Sequence, residues 1–354
     1  MKRLSVVLMV GVLLLAACAP KEVAVVEPEA PEAEAPAEEA PAAEDEKYVI
    51  GVAYEGPTNY WAESLMNHLL YSFDIKYKDK VEEVYYESAD GDATKQVGQV
   101  ENLLTKGIDA LMLQPLSETA MVPIVERANE MGIPVIIFGS SVLTDKYVTY
   151  VDRDNYKVGN LIATWISEQL DGEGKVVTIM GEPGSGYSED VLRGVSDAIS
   201  KFPNIENVGT EYGEYSGAVT KQKMETFLAS NPDITGVIVD GGLMALGIIE
   251  AYDDAGLDYP FMTVDDLNLF QKKAAEIGYT DYISVPGGSE ASAVAADLLF
   301  DYFAGKEIPQ KYLMDVTIMS GDEVQALIPD GMPDSYWGLC LIPPEHVEVY
   351  YPKE

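Results

Sequence analysis

The chain has 354 residues, with 23 basic and 60 acidic side chains and a net charge of −37. That balance excludes nucleic acid, which needs a basic footprint, and argues against a polyanionic ligand. Two cysteines and two histidines, His68 and His346, are too few for a zinc-type cluster or a histidine-based triad, so no metal, no cofactor and no catalysis are expected.

Residues 1–17 read as a signal peptide: Lys2 and Arg3, then an apolar run from Leu4 to Leu15 that is too short to span a bilayer. The run ends in "LAAC", residues 15–18, which resembles the bacterial lipobox and makes Cys18 the expected lipidation site and membrane anchor. Residues 18–47 continue as an Ala/Glu/Pro tether with almost nothing to bury. Beyond residue 47 remain nineteen basic and fifty acidic residues, a net charge of −31. With Cys340 the one cysteine left there, an intramolecular disulfide is not possible, and stability must come from burial.

Short apolar runs recur at 49–54, 109–113, 133–138, 176–180, 236–239 and 261–264. Between them lie helical spacings: Trp61, Leu65, Met66, Leu69, Leu70 and Phe73; Val97, Val100, Leu103 and Leu104; Val158, Leu161, Ile162, Trp165 and Ile166. Strands that are apolar throughout, alternating with helices, predict parallel sheets covered on both faces. The series runs once from Tyr48 to about Val151 and again from about Asp154 to Ile283, which predicts two α/β lobes. Ligands of such sheets bind beyond the carboxyl ends of the strands. The residues just after each run are therefore the candidates: "EGPTNYW" with Tyr60 and Trp61, Gln114, Gly139-Ser140, "DRDN" with Arg153 and Asp154, "GEPGSGYS", Asp240, and Asp265-Asp266. Carboxylates and amides suit ligand hydroxyls, and aromatic rings suit its C–H faces. Each also has a plainer reading, because Asp and Gly are common after strands.

"GEPGSGYS" has the Gly181/Gly186 spacing of a phosphate loop, but Tyr187 and Ser188 stand where Lys and Ser/Thr are required, so nucleotide hydrolysis is not supported. Arg193 is either a ligand contact or a surface partner of a nearby acid. Asp265 and Asp266 point to opposite faces of a strand, one toward the cleft and one toward the helix that starts near Asn268.

Four segments together resemble one family, the ribose/galactose-type periplasmic binding proteins that feed ABC importers. They are "KGIDALMLQP", "ANEMGIPVIIF", "VDRDNYKVG" and "VDGGLMALGIIEAYDDAG", and the likeness covers roughly residues 48–318. It implies two Rossmann-like lobes with parallel sheets joined by a three-segment hinge (periplasmic binding protein type I), with 48–153 plus 285–314 in the first lobe and 154–284 plus 315–354 in the second. It implies hinge segments near 139–154, 265–268 and 284–287. Carried over by position, it implies ligand contacts from Tyr60, Trp61, Gln114, Asp154, Asp266 and, across the cleft, Tyr215. Gly139-Ser140, Gly241-Gly242 and Ser284 depart from its polar positions, so the ligand's identity does not follow. The expected protein is a monomeric lipoprotein that closes on a small neutral solute, a sugar before others, and delivers it to a permease and ATPase. The alternative is a sensory protein that presents a sugar-like signal, nucleoside or other solute to a receptor. In the tail, 319–354, Trp337 is expected to pack across the hinge rather than edge the cleft.

Overall fold

The computed structural model describes residues 46–353; the signal peptide, Cys18 and most of the tether lie outside them. Among the described residues no helix is long and apolar enough to cross a membrane.

The first series runs β1 (Tyr48–Tyr54), α1 (Tyr60–Tyr71), β2 (Val81–Ser88), α2 (Ala93–Thr105), β3 (Ala110–Leu113), α3 (Val122–Glu130), β4 (Val135–Phe138) and β5 (Thr149–Arg153). The second runs α4 (Asn155–Gln169), β6 (Glu173–Met180), α5 (Gly186–Ile199), β7 (Asn204–Tyr212), α6 (Gly217–Ser230), β8 (Ile234–Val239), α7 (Gly242–Ala255), β9 (Phe261–Asp265), α8 (Asn268–Ile277) and β10 (Tyr282–Val285). Then follow α9 (Ala291–Phe303), β11 (Lys311–Met314), β12 (Met319–Ser320), α10 (Gly321–Leu327) and α11 (Pro344–Tyr350). One sheet has the order β11-β5-β4-β3-β1-β2 and the other β12-β10-β9-β8-β6-β7. All pairings are parallel except β10 with β12. Each sheet is thus the same doubly wound unit, and its strand order reverses beside its first strand.

Alternation along each strand splits the core into two layers. In β3, Ala110 and Met112 pack with Leu65, Leu69 and Leu299 of α1 and α9, while Leu111 and Leu113 pack with Leu103, Ile124 and Val125 of α2 and α3. Burying a large apolar side chain of this kind is worth about 1.5–3 kcal/mol, which favours apolar residues on both faces. Polar residues also mark helix starts. Asn59 Oδ1 accepts from the Ala62 amide at 2.9 Å and begins α1, and Asp154 Oδ1 accepts from the Lys157 amide at 2.9 Å and begins α4. A cap of this kind contributes about 1 kcal/mol.

The chain crosses between lobes after β5, between β10 and α9, and between β11 and β12. The first two match expected hinge segments. The third does not: 265–268 lies inside the second lobe, linking β9 to α8, and the crossing is 315–318. The tail also departs from its expected place in the second lobe. It starts there, with Asn268 Nδ2 donating to the Met332 and Pro333 carbonyls at 2.9 and 2.8 Å. It then passes the hinge, where Trp337 bridges Leu267 and donates from Nε1 to the Tyr60 carbonyl at 3.1 Å. It ends on α1 of the first lobe: the Leu341 amide donates to His68 Nε2 at 3.1 Å, and the Tyr351 hydroxyl to Ser64 Oγ at 2.7 Å. Residues 328–351 are therefore a strap that makes a fourth connection.

The strap is seated on Gly287, where a Cβ would overlap the Trp337 ring. Gly287→Ala is expected to lower stability by roughly 1–3 kcal/mol, as overpacking does. Calorimetric unfolding checks this, and an unchanged midpoint would remove the strap from the forces that hold the hinge.

Candidate functional site

The two sheets use the same device where their strand order reverses. In the first, the Glu55 amide after β1 donates to Gln114 Oε1 after β3, at 2.8 Å. In the second, the Gly181 amide after β6 reaches Asp240 Oδ2 after β8, at a long 3.4 Å. The neutral side chain is buried and bonded; Gln96 also donates to its carbonyl at 2.8 Å. The charged one is left incomplete: Asp240 Oδ1 is shut off from solvent and has no hydrogen-bond partner.

Asp240 lines a cavity of about 10 Å³, room for roughly one water. Arg153, Tyr187 and Asp265 share its polar wall, and Val158, Ile162, Val239, Val264 and Val285 form its floor. Arg153 leaves β5 of the first lobe and reaches over the second. Its Nε donates to Asn155 Oδ1 at 3.1 Å, its Nη1 donates to the Pro286 carbonyl, and its guanidinium lies 5.0 Å from the centre of the Tyr187 ring. Asp265 Oδ1 accepts from the Leu267 amide at 3.1 Å. Burial pushes Asp240 and Asp265 up to about 7, and repulsion from Asp266 and then from Asp240 adds to the rise at Asp265. Glu290, at the start of α9, is pushed up to about 7 by burial and then by Asp266.

Tyr215 closes one side. Its ring lies against Gly181, where a side chain would collide with it, and close to Gly241. It is 40 % exposed, yet its hydroxyl is raised well above the usual range by burial and then by Asp240. Glu214 and Tyr215 have φ of 54° and 49°. Two successive non-glycine residues in the left-handed region cost about 1–3 kcal/mol each, strain that persists where the surroundings fix it and that gathers at functional sites.

The structure brings together Arg153, Tyr215 and Asp240 among the expected residues. Trp61 lies near Gln114 at the first lobe's strand ends, its ring over Gly139, and its Nε1 donates to the Gly287 carbonyl at 3.0 Å. Tyr60 starts α1, and its carbonyl holds Trp337. Ser140 is half-buried after β4. Four others have structural partners. Asp154 caps α4. Arg193 lies on the surface, paired with Asp190 at 2.9 Å. Ser284 is wholly buried, donating to the Asp265 carbonyl and accepting from Gln271 Nε2, both at 3.0 Å. Asp266 accepts from the Gly287 amide at 2.8 Å and the Leu339 amide at 2.6 Å, so Asp265, not Asp266, is the acid on the cavity. Of the candidate pair Asp265-Asp266 the sequence left open which faces the cleft, and the family likeness pointed to Asp266. Tyr187 lay in a candidate segment without being singled out, and the buried Glu290 near Arg153 was not anticipated. Tyr187 stood in plain view where the phosphate-loop pattern failed.

The remaining reactive groups are quiet. Burial pushes His68 down to about 4, and its ring nitrogens are engaged by the Ser64 carbonyl and the Leu341 amide. Burial raises the Cys340 thiol. Among the described residues no group of acids, histidines or cysteines is placed to hold a metal ion.

Two doubly wound sheets of one topology, joined by several crossings beside a buried polar cavity, define a hinged two-lobe solute-binding protein. The chain belongs to the periplasmic binding protein domain family, whose model matches residues 50–307. The family's place is outside the cytoplasm, and its members bind solutes rather than transform them. The ribose import binding protein of Bacillus subtilis (strain 168) is 29 % identical over 258 residues, 73 % of this chain and 79 % of its own. The galactofuranose-binding protein of Escherichia coli (strain K12) is 30 % identical over 169 residues, 46 % of this chain and 53 % of its own. Among solved structures, the periplasmic binding protein of the arabinose ABC transporter from Shewanella sp. ANA-3 superposes with a TM-score of 0.71 at 21 % identity, covering 78 % of this chain and 93 % of its own. The fructose-binding periplasmic domain of a hybrid two-component system superposes with a TM-score of 0.67 at 26 % identity, covering 77 % and 90 %.

The raised carboxylates fix the pH response. Asp240, Asp265, Asp266 and Glu290 hold protons in the folded state up to pH about 6–7, whereas unfolded carboxylates release them near 4. Between these limits the folded state binds more protons, so stability falls as pH rises; His68 opposes this with one group. The ligand-free protein is therefore expected to melt at a higher temperature near pH 5 than at pH 7.5, and Asp240→Asn should narrow the gap. A melting temperature that climbs steadily from pH 5 to 7.5 contradicts this.

Proposed function

We propose that the protein is an extracytoplasmic solute-binding lipoprotein of an ABC importer, which closes its lobes on a small polyhydroxylated ligand, a sugar. The observation that carries this reading is Asp240 Oδ1, a buried acceptor with no donor, on a residue that lines the cavity at the strand ends. A ligand hydroxyl or ammonium supplies the missing donor. The valine and isoleucine floor suits a ring's C–H face. The names of the ribose and galactofuranose relatives support a sugar as the class.

The cavity is far smaller than a sugar ring, so entry requires the lobes to part and Tyr215 to move. Trp61, Gln114 and Ser140 then offer contacts from the first lobe, and Arg153, Tyr187, Tyr215, Asp240 and Asp265 from the hinge and second lobe. Ligand contacts to both sides favour the closed form, which the permease reads. The protein acts as a monomer, tethered to the membrane through lipid on Cys18.

Tyr215→Ala is expected to weaken binding by at least about 1 kcal/mol, the scale of an interface anchor, with circular dichroism unchanged. Titration calorimetry with a ligand found by thermal-shift screening of sugars and polyols reads this out. Wild-type affinity in that variant would refute the assignment of the cleft. Cys18→Ser should move the protein from the membrane to the soluble fraction; continued fractionation with lipid rules out the anchor.

A further inference from the structure

The charges around the cavity do not balance. Asp152, Asp240, Asp265, Asp266 and Glu290 surround one cation, Arg153. Asp152 is satisfied by the Tyr150 hydroxyl at 2.6 Å and Asn155 Nδ2 at 3.1 Å, and Asp266 by its two amides. The single Arg153 charge offsets part of the burial cost at Asp240, Asp266 and Glu290, but it is one cation among five acids. Its donors go to Asn155 and Pro286, its face goes to Tyr187, and among the described residues it makes no ion pair.

Asp240 and Asp265 are left side by side on the cavity wall. Asp240 Oδ1 has no donor within hydrogen-bonding geometry; the Tyr187 hydroxyl nearby offsets only a small part of the cost of burying the carboxylate. Beyond Arg153 at the end of β5, the described residues at the first lobe's strand ends, Glu55, Gln114, Gly139 and Ser140, add no further cation. Its Glu55 also feels Glu182 of the second lobe, so the rim is acidic as well. Two uncompensated carboxylates in a low-dielectric site require a shared proton or a cation between them.

We propose that the solute carries an ammonium group, as an amino sugar or amino-substituted cyclic polyol does, and that Asp240 and Asp265 select it. This rests on the solute-binding reading above. An ammonium offers three donors and one positive charge, enough for Asp240 Oδ1 and the Asp265 carboxylate with one donor left for a tyrosine oxygen. A neutral polyol satisfies the lone pairs but leaves the charge. An acidic sugar adds to the repulsion. The acidic rim attracts a cation toward the cleft and repels an anion.

The test uses matched pairs: D-glucosamine against D-glucose, D-galactosamine against D-galactose, and an inosamine against myo-inositol, titrated calorimetrically at neutral pH. In at least one pair the amine should bind at least about tenfold tighter than its neutral partner, the scale of a charge-assisted hydrogen bond. Raising the salt should narrow that margin. Asp240→Asn should abolish it, lowering the affinity of the amine by a larger factor than that of the neutral partner, and Asp265→Asn serves if that variant fails to fold. Neutral partners that bind as tightly or more tightly in every pair overturn the ammonium assignment and leave sugar binding standing. Failure of every amine, every neutral partner and a wider neutral-sugar panel overturns both.

Discussion

One buried carboxylate holds the centre of this molecule. Asp266 sits where the second lobe meets the strap. Its side chain takes the amides of Gly287 and Leu339, and its carbonyl takes that of Gly338. Without it, two amides enclosed at the hinge lose their acceptor, at about 1–3 kcal/mol each. Gly287 in turn places both indoles: its carbonyl holds Trp61 and its bare α-carbon admits Trp337. The neighbouring Pro286 carbonyl holds Arg153 over the cavity. Asp266 is pushed up only to about 6, because the two amides offset much of its burial. Asp240 and Asp265 are pushed to about 7. Of the three, only Asp240 keeps an oxygen that the fold leaves without a donor.

The switch points make the same distinction between the lobes. Gln114 and Asp240 occupy equivalent positions and reach for equivalent amides, at 2.8 and 3.4 Å. The shorter bond belongs to the side chain that is finished within its own lobe. The lobe with the longer bond carries the unpartnered oxygen, the strained Tyr215 and the cavity. One fold, used twice, thus serves as a firm wall on one side and a receptive one on the other.

The buried strands were legible because parallel strands covered on both faces are apolar throughout. Ala110–Leu113 and Val135–Phe138 stand out for that reason. Val81–Ser88 and Asn204–Tyr212 did not, because each is an edge strand and only partly covered. Local chemistry explains the expected site residues that took structural roles. Asp154 is drawn to a helix start three residues from its partner amide, and Arg193 to an acid one turn away. Pairings over hundreds of residues leave no local mark, so the crossing at 315–318 and the path of the strap were not readable. The choice between Asp265 and Asp266 turned on which face of β9 meets the strap, and nothing within the strand encodes that.

The strap and the interleaved lobes constrain the order in which the chain can be completed during synthesis. The first sheet needs β11, and its α1 face needs α9, yet both follow all of the second sheet but its short edge strand β12. The second lobe can therefore mature while the first is still waiting for an edge strand and a covering helix. The strap comes last of all: the Leu341 amide must find His68, 273 residues earlier, after both lobes exist. A nascent chain grown past β12 but not through the strap holds every residue of the cavity wall while its hinge is still unclasped.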